Sequence, residues 1–285
     1  MLPQVNYIKC NNLQEEYRMV YYAWGVQEQS EKTLICLHGL NRNGRDWDYM
    51  AKRFASNGYY VIAPDIVGRG NSDYLLDPQG YIIPNYIKDV LQLINLLSLK
   101  QISILGTSMG GLIGMSIAAM PDNPLQKLIL NDIGAEVEIE GLKNIASYSL
   151  VQPEFNNLKE AMEYLISTSL EFGNLPNDVW EHMARNSFQK NSNGKFELKR
   201  DLNLAKPFTE NFSSDKNVEL WDYWDKVSIP TLIIRGESSN ILSNKTVDKM
   251  KATKPLTQSI QISNAGHAPF LYLDAQAEII DKFLN

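Results

Sequence analysis

The sequence predicts an α/β protein with a mostly parallel, doubly wound sheet and a helical insertion late in that sheet. Short apolar runs alternate with longer segments of helical periodicity from the N-terminus to residue 134. The alternation stops over residues 135–226, which are mostly helical or irregular, and returns over 227–285. Uninterrupted apolar strands separated by helices are typical of a parallel sheet that is covered on both faces. We therefore expect residues 1–134 and 227–285 to form one core domain, interrupted by 135–226.

The individual elements follow from apolar periodicity and from the residues that end each run. Before the insertion, the predicted strands cover 17–24, 33–37, 59–63, 101–105 and 127–130, and the predicted helices cover 46–57, 86–97 and 110–120. Within the insertion, the predicted helices cover 158–172, 177–189 and 218–225. After it, predicted strands at 231–234 and 259–262 precede a final helix at 275–283.

Charge and cysteine content narrow the classes of partner. The chain has 27 basic and 33 acidic residues, a formal net charge of -6, and its basic residues are scattered. Such a chain is not expected to bind nucleic acid or an anionic membrane surface. No run approaches the ~18 apolar residues of a membrane span, and residues 1–10 lack the pattern of a signal peptide. Only two cysteines are present, Cys10 and Cys36, which favours a reducing compartment and predicts a cytoplasmic location.

The strongest chemical signal is the pentapeptide at residues 106–110, Gly-Thr-Ser-Met-Gly. It matches the Gly-x-Ser-x-Gly pattern of a nucleophile elbow. A predicted apolar strand runs directly into it, and a predicted helix of small and apolar residues leaves it. A turn this tight strains the backbone at the serine, and glycines on either side make room for it. Ser108 is therefore the predicted nucleophile.

A serine nucleophile needs a general base, because its hydroxyl is weakly acidic. The three histidines are His38, His182 and His267. His267 comes after the last predicted strand and after Ser108, as the chain order of such sites requires. His182 belongs to an amphipathic helix of the insertion and is expected on its surface.

His38 follows the first central strand, and a structural role is predicted for it in the loop that builds an oxyanion hole. In this interpretation the backbone N–H groups of Leu40 and Met109 hold the developing oxyanion. Backbone donors need no particular side chain, so position in the chain is the basis of this prediction.

Five segments, taken together, resemble the α/β-hydrolase superfamily, and within it the bacterial capped serine hydrolases that include many carboxylesterases. These segments are His38-Gly39, 64–72, 106–111, 128–134 and 266–269. They lie in order over most of the chain. The resemblance implies the α/β-hydrolase fold, and it implies that residues 135–226 form a helical cap over the active site.

The third member of the expected triad departs from the family pattern. The family places an acid after the strand at 231–234, in a segment like Arg-Gly-Glu-x-Ser-Asp, but here Asn240 stands at that position. One hypothesis is that the acid has moved to Asp132, at the end of the preceding predicted strand, where some superfamily members carry it. A second is that Asn240 orients His267 as a neutral partner, and a third is that the site is weakened. Asp132 is preferred because an ionised partner stabilises an imidazolium, and Glu237 is a weaker candidate.

These residues predict a serine hydrolase that cleaves a small, mostly apolar carboxylic ester through an acyl-enzyme. Carbon–carbon bond or lactone hydrolysis on the same scaffold is an alternative, and so is a non-catalytic small-ligand binding protein with a degenerate triad. Relatives that act as dehalogenases or epoxide hydrolases carry Asp where Ser108 stands, which disfavours that chemistry. No cofactor or metal is expected, and a small-molecule ester is the expected partner. The sequence does not specify the oligomeric state.

Overall fold

An eight-stranded sheet forms the centre of the protein. The computed structural model describes residues 1–12, 14–207 and 216–285. The strands that join this sheet are, in chain order, β1 (Gln4–Asn11), β2 (Glu16–Trp24), β3 (Lys32–Leu37), β4 (Tyr59–Pro64), β5 (Ile102–Thr107) and β6 (Leu125–Asn131), followed after the insertion by β12 (Thr231–Gly236) and β13 (Thr257–Ile262). Their order across the sheet is β1-β2-β4-β3-β5-β6-β12-β13.

The sheet is parallel except at one edge. β1 pairs antiparallel with β2, and β2 pairs antiparallel with β4. The pairs from β4 through β3, β5, β6 and β12 to β13 are all parallel. β1 is not predicted from the sequence, because only Ile8 and Cys10 of its eight residues are buried and its apolar pattern is weak. An edge strand with few buried side chains does not produce a readable alternation.

Helices cover both faces of the sheet, as predicted. On one face lie α2 (Ile83–Leu96), α3 (Met109–Ala118) and the later helix Asn244–Thr253, and their apolar side chains share one core cluster with the sheet. On the other face, α1 (Asp48–Ser56) and the C-terminal helix Asp274–Leu284 share a second cluster. The carboxyl ends of the parallel strands meet at one edge of this layered core, where open α/β sheets bind their ligands.

The insertion contains helices and short strands. Its described α-helices are α4 (Ile139–Ser149), α5 (Leu158–Thr168), α6 (Asn177–Ser187) and α7 (Trp221–Trp224). The two helices that follow the insertion are α8 (Asn244–Thr253) and α9 (Asp274–Leu284). Its strands are β7 (Glu136–Val137), β8 (Glu154–Phe155), β9 (Phe188–Lys190), β10 (Phe196–Leu198) and β11 (Val218–Glu219).

The prediction of a mostly helical or irregular insertion omits its short strands. β8, β10 and β9 form a three-stranded sheet, and β11 pairs with β7. Strands of two or three residues are too short to give an alternating pattern, so the sequence does not reveal them. Within the described residues, none of these strands joins the large sheet, and residues 208–215 of the predicted insertion lie outside the described part of the chain. A search of the described residues finds no helix with the length and hydropathy needed to cross a membrane.

Candidate active site

Ser108 lies at the sharp turn between β5 and α3. Its backbone has φ 51° and ψ −114°, a strained conformation for a residue with a side chain. The turn packs tightly: a Cβ at Gly110 would lie 2.2 Å from the carbonyl oxygen of Leu37. Only glycine fits there, which is why the elbow pattern requires it. The strand, the turn and the helix are therefore arranged around Ser108 as the sequence predicts.

His267 lies beside Ser108, in the loop between β13 and α9. Its Nε2 is 2.9 Å from the Ser108 hydroxyl oxygen. Glu171 of the insertion supports this loop, since its carbonyl oxygen accepts the N–H of Gly266 and its carboxylate accepts the N–H of His267 at 3.1 Å. Sequence reasoning missed Glu171. No motif marks this residue, because it lies in the insertion and contacts a loop 96 positions later in the chain.

Asp132 is the residue that faces the other side of the His267 ring. Its Oδ2 is 2.8 Å from His267 Nδ1, and its side chain is completely buried. Asp132 directly follows β6 and has a left-handed backbone, with φ 56°. The structure therefore brings Ser108, His267 and Asp132 into one chain of hydrogen bonds.

The segment after β12, where the family acid is expected, supports Asp132. The N–H of Gly236 donates to Asp132 Oδ1 at 2.7 Å, and the Ser239 hydroxyl donates to Oδ2 at 2.6 Å. These two donors fix the orientation of the carboxylate toward His267. Sequence reasoning missed both, although Ser239 is adjacent to the position considered for the acid.

Asn240 and Glu237 are not brought to the imidazole. Among the described residues, His267 Nδ1 makes its side-chain hydrogen bond to Asp132 and none to Asn240. The backbone carbonyl of Asn240 packs against Gly141 of α4. Glu237 is exposed, and its carboxylate accepts the N–H of Asn264. The geometry thus favours Asp132 over both alternatives.

Leu40 and Met109, whose backbone N–H groups are the predicted oxyanion donors, belong to two different parts of the core. Leu40 follows β3, Met109 is the first residue of α3, and both line a cavity with Ser108. No hydrogen bond from either N–H is found within 1–12, 14–207 and 216–285. Buried Arg69 supports both residues, because its Nε donates to the Leu40 carbonyl at 2.9 Å and its Nη2 lies 3.4 Å from Met109 Sδ.

His38 has a structural position, as predicted. The N–H of Ile66 donates to His38 Nε2 at 2.9 Å, so Nε2 carries no proton and Nδ1–H donates to the Gly39 carbonyl at 2.8 Å. Burial lowers the pKa of His38 to about 3. A neutral imidazole therefore joins the loop after β4 to the loop that carries Leu40.

We expect His38→Gln to make the protein less sensitive to acid. Between pH 6.5 and 3 the unfolded chain binds a proton at His38 and the folded chain does not, so wild-type stability falls as the pH is lowered. For this group the loss between pH 6.5 and 5 is about 2 kcal/mol. In urea unfolding, the variant should be less stable than wild type at pH 7.5, and this difference should shrink by about 2 kcal/mol at pH 5. An equal difference at both pH values would show that His38 is not held neutral.

His182 lies outside the site. It belongs to α6, where its Nε2 lies 3.1 Å from the Arg45 carbonyl oxygen and 3.6 Å from Asp48 Oδ2. It is partly buried against the core domain rather than on the outer surface of its helix. Across the described ranges, no group of three or more His, Cys, Asp or Glu side chains could hold a metal ion.

Two cavities meet at Ser108. The first, of about 350 Å³, we call the polar cavity; its walls include Ser108, His267, Arg42, Glu171, Arg200 and Asn240. The second, of about 520 Å³, we call the apolar cavity; its walls include Ser108, Met109, Leu112, Ile133, Val137 and Ile241. Leu40 contributes to both. Residues of the insertion line both cavities.

Comparison with known proteins assigns the family. The model of the family described as alpha/beta hydrolase fold matches residues 32–272, and the chain therefore belongs to that family. This result confirms the predicted fold class.

Relatives of similar length are hydrolases. The chain is 33% identical to the 3-hydroxybutyrate-oligomer hydrolase of Cupriavidus necator, over 99% of this chain and 98% of the relative. It is 25% identical to Lipase 1 of Psychrobacter immobilis, over 97% and 82% respectively. The crystal structure of an alpha/beta hydrolase from Novosphingobium aromaticivorans superposes with a TM-score of 0.87 at 30% identity, over 99% and 98%.

Proposed function

We propose that this protein is a serine esterase that cleaves carboxylic esters through an acyl-enzyme. The observation that carries the proposal is the continuous chain of hydrogen bonds from Ser108 through His267 to the buried Asp132, with distances of 2.9 and 2.8 Å. A binding module would not need a serine, a histidine and a buried carboxyl group hydrogen-bonded in this order. Acyl transfer through a serine nucleophile requires this arrangement of the three side chains.

The reaction follows from these positions. Ser108 Oγ attacks the ester carbonyl while His267 Nε2 takes its proton, and Asp132 stabilises the resulting imidazolium. The N–H groups of Leu40 and Met109 donate to the oxyanion of the tetrahedral intermediate. When that intermediate collapses, His267 returns the proton to the leaving alkoxide, and the acyl group stays on Ser108. Water, deprotonated by His267, then attacks the acyl-enzyme. When the second tetrahedral intermediate collapses, His267 returns this proton to Ser108 Oγ and the acid is released.

The two cavities assign the two halves of the ester. The general acid must reach the leaving oxygen, so the alcohol half belongs in the polar cavity, which His267 lines. The acyl half belongs in the apolar cavity, whose walls include both proposed oxyanion donors. A mostly apolar acyl chain of small size fits such walls. The resemblance to a 3-hydroxybutyrate-oligomer hydrolase supports short hydroxyacid oligomers as substrates.

Covalent labelling tests the proposal. We expect a fluorophosphonate probe to modify Ser108, because the probe reacts with an activated serine and only weakly with a serine in a mere pocket. Peptide mass spectrometry should place the adduct on residue 108, and Ser108→Ala should abolish it. Ser30→Ala changes a partly exposed serine outside the site; it is the matched control and should be labelled like wild type. Absence of an adduct in folded wild-type protein would contradict the proposal.

Cysteine placement supports the predicted compartment. Cys10 and Cys36 are both free and buried, and burial raises the pKa of each thiol. Neither thiol is therefore poised for oxidation at neutral pH. We propose on this basis that the protein works in the reducing environment of the cytoplasm.

A further inference from the structure

Arg200 is a buried cation in the wall of the polar cavity. It follows β10 in the insertion, its side chain and backbone together are 4% exposed, and it lines the same cavity as Ser108 and His267. Burial lowers the pKa of its guanidinium to about 10, so the group is still positively charged at neutral pH. A charged group in this position contributes strongly to what the cavity can bind.

Arg200 has no acidic partner among the residues that the structure describes. Its Nη1 donates to the Ser149 carbonyl at 2.7 Å, and its Nη2 donates to the Val151 carbonyl at 2.9 Å. Its Nε is buried without a partner. A guanidinium has about five N–H donors, so most of its capacity is unused. No carboxylate oxygen of the described chain lies within 4.0 Å of it. Buried cations are normally paired, because an unpaired one costs stability.

The other charged side chains of the polar cavity are already engaged. Arg42 forms a two-point ion pair with Asp46, with its Nε 2.7 Å and its Nη2 2.5 Å from the carboxylate. Glu171 is exposed, and its carboxylate accepts the N–H of His267. An anion that enters this cavity is therefore attracted to Arg200 and is kept from the Glu171 side by like-charge repulsion.

We propose that Arg200 binds a free carboxylate on the alcohol half of the substrate. The inference rests on the proposed esterase function, which places the alcohol half in the polar cavity beside His267. It defines the substrate class as esters whose alcohol component is itself a hydroxyacid with a free acid end. Cleavage then releases the terminal hydroxyacid from the carboxyl end of a short oligomer, and the rest of the chain passes to Ser108 as the acyl group.

The first test uses the wild-type enzyme and two matched substrates. One is the linear dimer of 3-hydroxybutyrate with its free carboxylate, and the other is the same dimer with a terminal carboxamide, which has nearly the same shape and no charge. We expect kcat/KM to be higher for the acid by about 30-fold or more, since a buried charged hydrogen bond is lost with the amide. Equal values for the two dimers, within about threefold, would overturn the proposal even if no variant folds.

The second test compares charge-removing variants. Arg200→Gln should lower the acid-to-amide ratio of kcat/KM by about 30-fold, and Arg200→Lys should keep part of the preference because it retains a point charge. Arg185→Gln is the matched control: it removes the same charge from an exposed arginine of the insertion that pairs with Glu181, and its ratio should equal that of wild type. A folded Arg200→Gln enzyme that still prefers the acid as strongly as wild type would refute the role of Arg200.

The two proposals fail in different ways. If Arg200 has no such role but the protein is an esterase, both dimers are cleaved at similar rates and the fluorophosphonate still labels Ser108. If the protein is not an esterase, neither dimer nor p-nitrophenyl butyrate is cleaved, and no label is found. The third outcome is that the preference for the acid disappears in Arg200→Gln while the amide dimer is still cleaved. This outcome supports both the esterase function and the role of Arg200.

Discussion

Replacing Ser108 by alanine is expected to lower kcat for ester hydrolysis by at least about 10⁴-fold. Removal of the nucleophile in a serine hydrolase leaves only binding and oxyanion stabilisation. Within the described part of the chain, the Ser108 hydroxyl has one side-chain partner, His267, so the fold should not depend on it. The free energy of unfolding should therefore change by less than about 1 kcal/mol. Steady-state hydrolysis of a p-nitrophenyl ester measures the first effect, and urea unfolding measures the second.

A residual rate would identify a different nucleophile. If Ser108→Ala kept more than a few per cent of wild-type turnover in a folded protein, the elbow serine would not attack the substrate. A contaminating host esterase is recognised from the rate in the same fractions purified from cells that lack the protein, and Ser30→Ala purified in parallel should keep full activity.

Asp132→Asn is expected to lower kcat by about two to four orders of magnitude. The amide cannot stabilise the imidazolium by charge, and its N–H₂ group would face either His267 or Ser239, both of which now donate to the carboxylate. The imidazole would then favour the wrong tautomer. The variant is also expected to lose stability, since Gly236 and Ser239 hold this carboxylate at 2.7 and 2.6 Å. Circular dichroism and unfolding curves must accompany the kinetics.

Asn240→Asp is compared with Asp132→Asn to decide which of the two positions supplies the partner of His267. The Asn240 side chain makes no hydrogen bond to His267 within the described residues, so a carboxylate there should change kcat by less than about threefold. The opposite pattern, in which Asn240→Asp raises activity and Asp132→Asn costs only stability, would show that the acid acts from the segment after β12.

The parts of this molecule that sequence predicts well are those that depend on local pattern. β3, β5 and the elbow at Ser108 are visible because a buried parallel strand is apolar throughout and the turn allows only glycine at position 110. β1 and the two small sheets of the insertion are not visible, because an exposed edge strand and strands of two or three residues carry no periodic signal.

The sequence left more than one candidate for the hydrogen-bond partner of His267, and the reason is geometric. Asp132 and Asn240 both follow neighbouring parallel strands, β6 and β12, so both end at the same edge of the sheet. Which one reaches the imidazole depends on how each loop turns after its strand. The left-handed backbone of Asp132 and the hydrogen bond from Ser239 determine this, and neither has a sequence motif. Glu171 and Arg200 were missed because their roles arise only when the insertion folds over the core.

The contact between Glu171 and the His267 loop limits how this enzyme can be engineered. Grafting the insertion of one family member onto the core of another is an attractive route to new specificity, since none of the described strands of the insertion joins the large sheet. Here, however, the segment that lines the polar cavity also accepts two N–H groups from the loop that carries His267, the proposed general base. A graft that lacks the Glu171 carboxylate and carbonyl would change the substrate specificity and would also remove two hydrogen bonds that hold the His267 loop. Successful chimeras of this scaffold must therefore keep residue 171 with the recipient's histidine loop.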